Sequence, residues 1–241
     1  MVRRLHRGPS RLLVVIVLLA GLLACTSTTV RRAGDLHADS AIARGRVVLL
    51  LPPEVQLTQL TASGMETPRA DWTAGASRLI EDSLRQVLDE RSARLAVYTE
   101  PTDAALRERF QQLRLLHDAV GASIASFGML ASARLASKGD AFDWSLGPGV
   151  RELKRHFGAD YALYTSVYDS YASGGRKSIM ALGLLLGANV SLGQRYGYSS
   201  LVDLDSGNVL WTGFLLSSTG DLRQPEGALA ATRQLLKGIP L

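Results

Sequence analysis

The chain holds a single cysteine, Cys25, and it closes a hydrophobic run. Arg3, Arg4, Arg7 and Arg11 lead into an uninterrupted apolar stretch from Leu12 to Ala24, with small residues at Gly21 and Ala24. A basic start, a short apolar middle and a small-residue exit form a secretory leader, and the stretch is too short to span a bilayer comfortably as a helix. The residues that follow must therefore fold outside the cytoplasm with no thiol to spare. Neither a disulfide, nor a thiolate metal site, nor a cysteine nucleophile is available to them. The body must be held by its core, and the roughly 217 residues after the leader suffice for one generous domain.

Leu22-Leu23-Ala24-Cys25 resembles the lipobox of bacterial lipoprotein precursors. The resemblance implies that residues 1–24 are removed and that the Cys25 thiol carries a diacylglyceryl group, usually joined by a further acyl chain such as palmitate. At about 0.8 kcal/mol per buried CH₂, two or three chains give effectively permanent attachment. Thr26 follows the cysteine in place of the aspartate associated with inner-membrane retention, so the implied address is the periplasmic face of the outer membrane. Losing the leader also alters the charge. The whole chain has 27 Lys+Arg against 22 Asp+Glu, but four of the arginines lie in the leader, which leaves a net of +1. A nucleic-acid footprint needs clustered excess base, so that class is set aside.

Residues 25–45 show no sustained periodicity and read as a flexible tether to a single domain over 46–241. Arg46–Leu51 is a short apolar run stopped by Pro52-Pro53, as in a strand buried on both faces. Val55–Leu60 alternates like a half-exposed strand. Trp72, Ala76, Leu79, Ile80, Leu84, Val87 and Leu88 form a helical stripe that starts between Thr67 and Trp72. Leu95–Tyr98 reads as a brief strand. From Leu106 to Ala131 the period is again helical, predicting one long helix or a hairpin broken near Gly121. Gly139–Gly149 reads as a loop, Val150–Phe157 as a short helix and Gly158–Tyr171 as an aromatic-rich strand. Tyr196–Leu204 and Asn208–Ser217 predict a β-hairpin around Asp205-Ser206-Gly207, and Gly227–Leu236 a last helix. The expected fold class is α/β (α+β): a layered sandwich with a mixed sheet, a C-terminal hairpin and a long helix or helical hairpin in the middle.

Few residues offer chemistry. Asp169 to Ser178 sits where a phosphate loop would be, but Tyr171 occupies the first glycine position and Arg176 the glycine before Lys177, so it reads as a solvated basic loop. Asp203-Leu204-Asp205-Ser206-Gly207 opens like a calcium loop, yet its twelfth position is Phe214, and a hairpin turn accounts for it. His37 falls in the tether, His117 on an apolar helical stripe and His156 in a last helical turn, none at metal-ligand spacing and none beside a serine elbow. No catalytic residue, cofactor site or metal site is expected.

The most unusual stretch is Ile179–Leu186, nearly apolar all round, after the Gly174-Gly175 hinge and the basic pair Arg176-Lys177. It lies in an apolar insertion over 174–194. A core element is one reading. The other is a surface that meets a partner or a bilayer through Arg176, Lys177, Ile179, Met180, Leu182, Leu184, Leu185 and Leu186.

Gly158-Ala159-Asp160-Tyr161-Ala162-Leu163-Tyr164, followed by Leu201-Val202-Asp203-Leu204-Asp205-Ser206-Gly207-Asn208-Val209-Leu210-Trp211, resembles a group of envelope lipoproteins. The group includes the curli-secretion channel lipoprotein, the penicillin-binding-protein activators and related lipoproteins of unknown role. Val47-Val48-Leu49-Leu50-Leu51-Pro52-Pro53 fits their first strand. The resemblance covers Arg46–Ser217 and implies an α/β sandwich without catalytic residues, acting in assembly or as an accessory. The expected partners are the bilayer, through the N-terminal acyl chains, an unidentified envelope protein and a second copy of the chain. The single apolar insertion lacks the two alternating strands that a channel hairpin requires. The competing expectation is an enzyme or small-ligand binder acting on envelope material, with Asp169, Ser170, Arg176 and Asp221 around a cleft.

Overall fold

The computed structural model describes residues 27–33, 45–128, 135, 138, 141–185, 193–217 and 220–241. The leader, Cys25, His37 and Leu186 lie outside them. Eight strands form one mixed sheet: β1 (Ser27–Arg32), β2 (Val47–Leu50), β3 (Glu54–Leu60), β4 (Glu66–Pro68), β5 (Arg94–Val97), β6 (Tyr161–Ala172), β7 (Arg195–Asp203) and β8 (Val209–Ser217). Among the described residues five α-helices accompany them: α1 (Ala70–Asp89), α2 (Ala104–Gly128), α3 (Arg151–Phe157), α4 (Gly174–Leu185) and α5 (Pro225–Leu235). The expected α/β sandwich with its C-terminal hairpin and long central helix is the observed fold.

The long β6 organises the sheet. Its first half pairs in parallel with β2 and its second half with β3, while β7 runs antiparallel along its other edge. From Val48 to Glu54 the chain takes six steps while β6 takes five, from Tyr161 to Ser166. Pro52-Pro53 sits in that one-residue excess, where missing N–H groups cost the ladder least. β8 and then β1 complete one side in antiparallel register, β5 adds to β2, and the short β4 turns back on β3.

Both sheet faces are covered. On one, Ile80, Leu84 and Leu88 of α1 and Ala228, Ala231 and Leu235 of α5 meet Leu163, Leu201 and Trp211. On the other, Phe110, Leu113 and Ile124 of α2 and Leu153 of α3 meet Leu49, Ala162, Tyr164 and Val202. Strand side chains alternate between these cores, so the central strands are apolar on both faces.

One expectation is corrected. Ser27–Arg32, placed in the flexible tether, is an edge strand paired with β8 from Ser27↔Leu216 to Arg32↔Trp211. The ladder is reinforced by Thr28 bonding Gln234 and by Arg32 donating to the Gly238 carbonyl. Of the two forms expected for the central helix, the unbroken one is observed: α2 runs through Gly121, where a Cβ would lie 2.1 Å from the Tyr198 ring. That glycine permits close approach of helix and sheet; it does not interrupt the helix.

The motifs behind the family resemblance prove to be joints of the fold. Gly158 ends α3 in the left-handed conformation at φ 66°, and its N–H bonds the Lys154 carbonyl. Ala159 is buried, and Asp160 ties β6 to β2 by accepting from the Val47 N–H and donating its own N–H to the Val47 carbonyl. Asp203 Oδ1 accepts from the Asp205 and Ser206 N–H groups at 2.8 and 2.7 Å, so the turn, not a cation, uses that carboxylate.

Candidate functional site

Where β6 outruns β2, the end of the sheet carries two features: a polar cleft and, beside it, the apolar helix α4. Cross-strand pairing puts Asp169 opposite Arg195, and both side chains are 5% exposed. Arg195 donates from Nε and Nη2 to Asp169 Oδ2 at 2.8 and 2.5 Å. Burial is the largest influence on the Asp169 carboxyl and pushes its pKa up, with the guanidinium pulling against it. Next to this pair, Tyr171 accepts the Leu222 N–H through its hydroxyl at 2.7 Å. Arg223 lies over the rings of Tyr171 and Trp72 at 4.0 and 4.5 Å, and Arg69 lies over Trp72 at 4.0 Å. Each of these guanidiniums is oriented by a carboxylate, Arg223 by Asp221 and Arg69 by Asp71. The Arg223 bond holds the Asp221 carboxyl below its ordinary range.

Asp169, Ser170, Tyr171, Lys177, Arg195 and Arg223 border a cleft of about 330 Å³. Of the four polar residues expected around a ligand cleft, Asp169 and Ser170 do line it. Asp221 stands behind Arg223, and Arg176 is not among the lining residues. The groups are largely engaged with one another: Asp169 with Arg195, and the Ser170 hydroxyl with the Gln194 N–H at 3.0 Å. Neither described histidine borders the cleft. His117 is buried under α2, stacked 4.4 Å from Tyr164, and His156 packs against Phe110 and Phe157. Nothing in the sequence marked Trp72, Arg69 or Arg223 for this stack, because the three meet only when β4, α1 and the segment before α5 converge.

α4 follows directly. Ser173 starts it by accepting the Arg176 N–H at its hydroxyl. Gly175 fits against the β3–β4 turn, where a Cβ would come 3.3 Å from that of Ala62. From there the helix buries no residue at all. Ile179 is 43% exposed, Leu182 59%, Leu184 62% and Leu185 83%; Met180 is half-buried, and Lys177 is exposed at the base. Arg176 is half-buried on the inward side, with Met180 and Gly183. The core reading of this segment is thus overturned for Arg176–Leu185, while Leu186 falls outside the described residues. Among the described residues no helix is long and apolar enough to cross a membrane.

No protein-family model matches this chain, and no curated protein matches it. Among solved structures, the chain is similar to the PelC dodecamer from Paraburkholderia phytofirmans at 13% identity, over 89% of this chain and 96% of that one, with a TM-score of 0.40. It is also similar to the LpoB C-terminal domain from Salmonella enterica at 15% identity, over 76% and 84% of the two chains, with a TM-score of 0.26.

Proposed function

We propose that this chain is a lipoprotein of the cell envelope, anchored through Cys25 at the periplasmic face of the outer membrane, and that it works as a non-enzymatic assembly or accessory factor. The observation that carries the reading is α4. Every other long helix among the described residues buries one face in a core, whereas α4 presents leucines to solvent and buries none. Covering one Leu or Ile side chain is worth about 1.5–3 kcal/mol, so such a helix is a standing contact surface. The test joins anchor and contact. Mass spectrometry of the exported protein should show acylated Cys25 at the N-terminus, and a photo-crosslinker at Leu184 should report what α4 touches in the envelope, a second copy included. Leu182→Asp/Leu185→Asp should abolish that crosslink while circular dichroism stays unchanged. Unmodified Cys25, or a double variant that no longer folds, refutes the reading.

One observation favours a second reading, a small-ligand binder or enzyme: Lys177, Arg195 and Arg223 face the same cleft. A saturable rise in melting temperature with phosphate or sugar phosphates, lost in Lys177→Ala, would support it; a flat titration rejects it.

A further inference from the structure

We infer that α4 is an interfacial helix whose outer face beds into an anionic bilayer beside the point where the lipid anchor meets the domain. The inference deepens the lipoprotein reading and rests on it. The strand registers supply the argument. Ser27 pairs with Leu216, Leu216 with Tyr196, and Tyr196 with Tyr168. The first residue of β1 is therefore level with Tyr168, and β6 climbs only from there to Ala172 before α4 begins. Cys25 is two residues from Ser27, within about 7 Å along an extended chain. β1 and β6 are separated by β8 and β7, so the anchor strand and the foot of α4 stand about 14 Å apart across the sheet. A thiol carrying acyl chains at that position draws the bilayer to this end of the molecule.

The chemistry of that end suits a lipid surface. α4 contains no acidic residue; its only charges, Arg176 and Lys177, lie in its first turn, where phosphate headgroups would meet the exposed Lys177. Its length is about 18 Å, which suits lying in the interface and not crossing a hydrocarbon core of about 30 Å. Other exposed apolar side chains gather at the same end: Met65 in the β3–β4 turn, Tyr196 and Leu216. Glu66, the nearby acid, is already engaged by the Tyr168 hydroxyl. A protein groove would also accept leucines, but only a bilayer is brought there by the chain's own anchor.

Because Cys25 is the sole cysteine and acylation blocks it, one introduced thiol gives one label. The full-length acylated protein is reconstituted into phosphatidylethanolamine/phosphatidylglycerol vesicles with a nitroxide at Leu182→Cys, Leu185→Cys or, as a control on α2, Leu115→Cys. All three sites are well exposed, so labelling leaves the fold intact. Collision with a water-soluble nickel chelate should fall about fivefold or more at 182 and 185, with a matching rise in oxygen accessibility, and less than about twofold at 115. Lys177→Glu should restore at least half of the lost collision rate. If 182 and 185 stay as accessible to the chelate as 115, the bilayer is not the occupant, although the accessory reading still stands on its crosslink. If mass spectrometry finds Cys25 free, the underlying reading fails instead.

Discussion

Two helical glycines should respond to the same substitution with opposite signs. Gly75 lies inside α1, and a Cβ added there would meet nothing within 4 Å. Gly75→Ala should then gain the helix-propensity difference of about 1 kcal/mol, raising the melting temperature by about 2–4 °C for a domain of this size. Gly121 lies inside α2, where a Cβ would sit 2.1, 2.6 and 2.8 Å from three atoms of the Tyr198 ring. Ordinary contact would require that ring to move by more than about 1 Å. The ring is held in place: its hydroxyl donates to the Asp118 carbonyl at 3.0 Å, and the ring packs against Phe214 and His117.

Overpacking costs about 1–3 kcal/mol and a disturbed buried hydrogen bond about 1 kcal/mol more, against the same propensity gain of about 1. Gly121→Ala should thus be destabilised by about 1–3 kcal/mol. Urea denaturation with an unchanged m-value reads both shifts. On a Tyr198→Leu background the Gly121→Ala penalty should largely vanish, since the two sites are coupled through one contact. A Gly121→Ala protein as stable as Gly75→Ala would mean that α2 does not sit on Tyr198, and the seating of that helix on the sheet would be wrong.

Breaking the buried Asp169–Arg195 pair with Asp169→Asn should cost about 3–5 kcal/mol by leaving a buried guanidinium uncompensated, whereas Asp169→Leu/Arg195→Met should fall within about 2 kcal/mol of wild type; comparable losses in both would show that the pair does more than compensate itself. His117 should make the protein acid-sensitive. Burial holds its pKa below the ordinary value, with Asp118 pulling the other way, so the unfolded imidazole takes a proton near pH 6.5 that the native one refuses. Stability is full above that pH and declines below it. Burial pushes the Asp118 carboxyl up, but the hydrogen bonds it accepts outweigh this and leave its pKa lowered, which adds a further loss at lower pH. His117→Phe, which keeps the stack on Tyr164, should flatten the fall in urea midpoint between pH 7 and 5.5; a wild-type midpoint that does not move over that range refutes a buried neutral imidazole.

Much of the scaffold was legible because its signals are local. The α1 stripe from Trp72 to Leu88, the proline stop after Leu51 and the Asp203–Gly207 turn each reveal their structure within a few residues. The cleft was half legible. Asp169 and Ser170 stood out by position in the chain, but the stack of Arg69, Trp72, Arg223 and Tyr171 joins residues more than 150 positions apart and has no spacing to detect. α4 was legible as apolar yet not as exposed, since hydrophobicity alone does not distinguish a core helix from an unpartnered one. β1 was missed for a related reason. Ser27-Thr28-Thr29-Val30-Arg31-Arg32 has the polar composition of a tether, and what makes it a strand is the open edge of β8, about 180 residues later.

That strand changes what the anchor can do, and the change can be measured. A flexible tether of about 20 residues would let the domain drift some 25 Å from the bilayer. With β1 paired from Ser27, only Thr26 separates Cys25 from the sheet, and the slack shrinks to about 7 Å. With Cys25 acylated as proposed, the domain would not reorient freely over the membrane, and its Tyr168–Ala172 end would face the lipid. Neutron reflectometry on a supported bilayer carrying the acylated protein should find protein density meeting the headgroups with no hydrated layer between them. Inserting about 20 Gly/Ser residues between Thr26 and Ser27 should open a gap or broaden the profile to that extent, unless α4 alone holds the domain down. If the unaltered protein already floats above a water layer some 20 Å deep, β1 is unpaired at the membrane, and the orientation deduced from the strand registers fails with it.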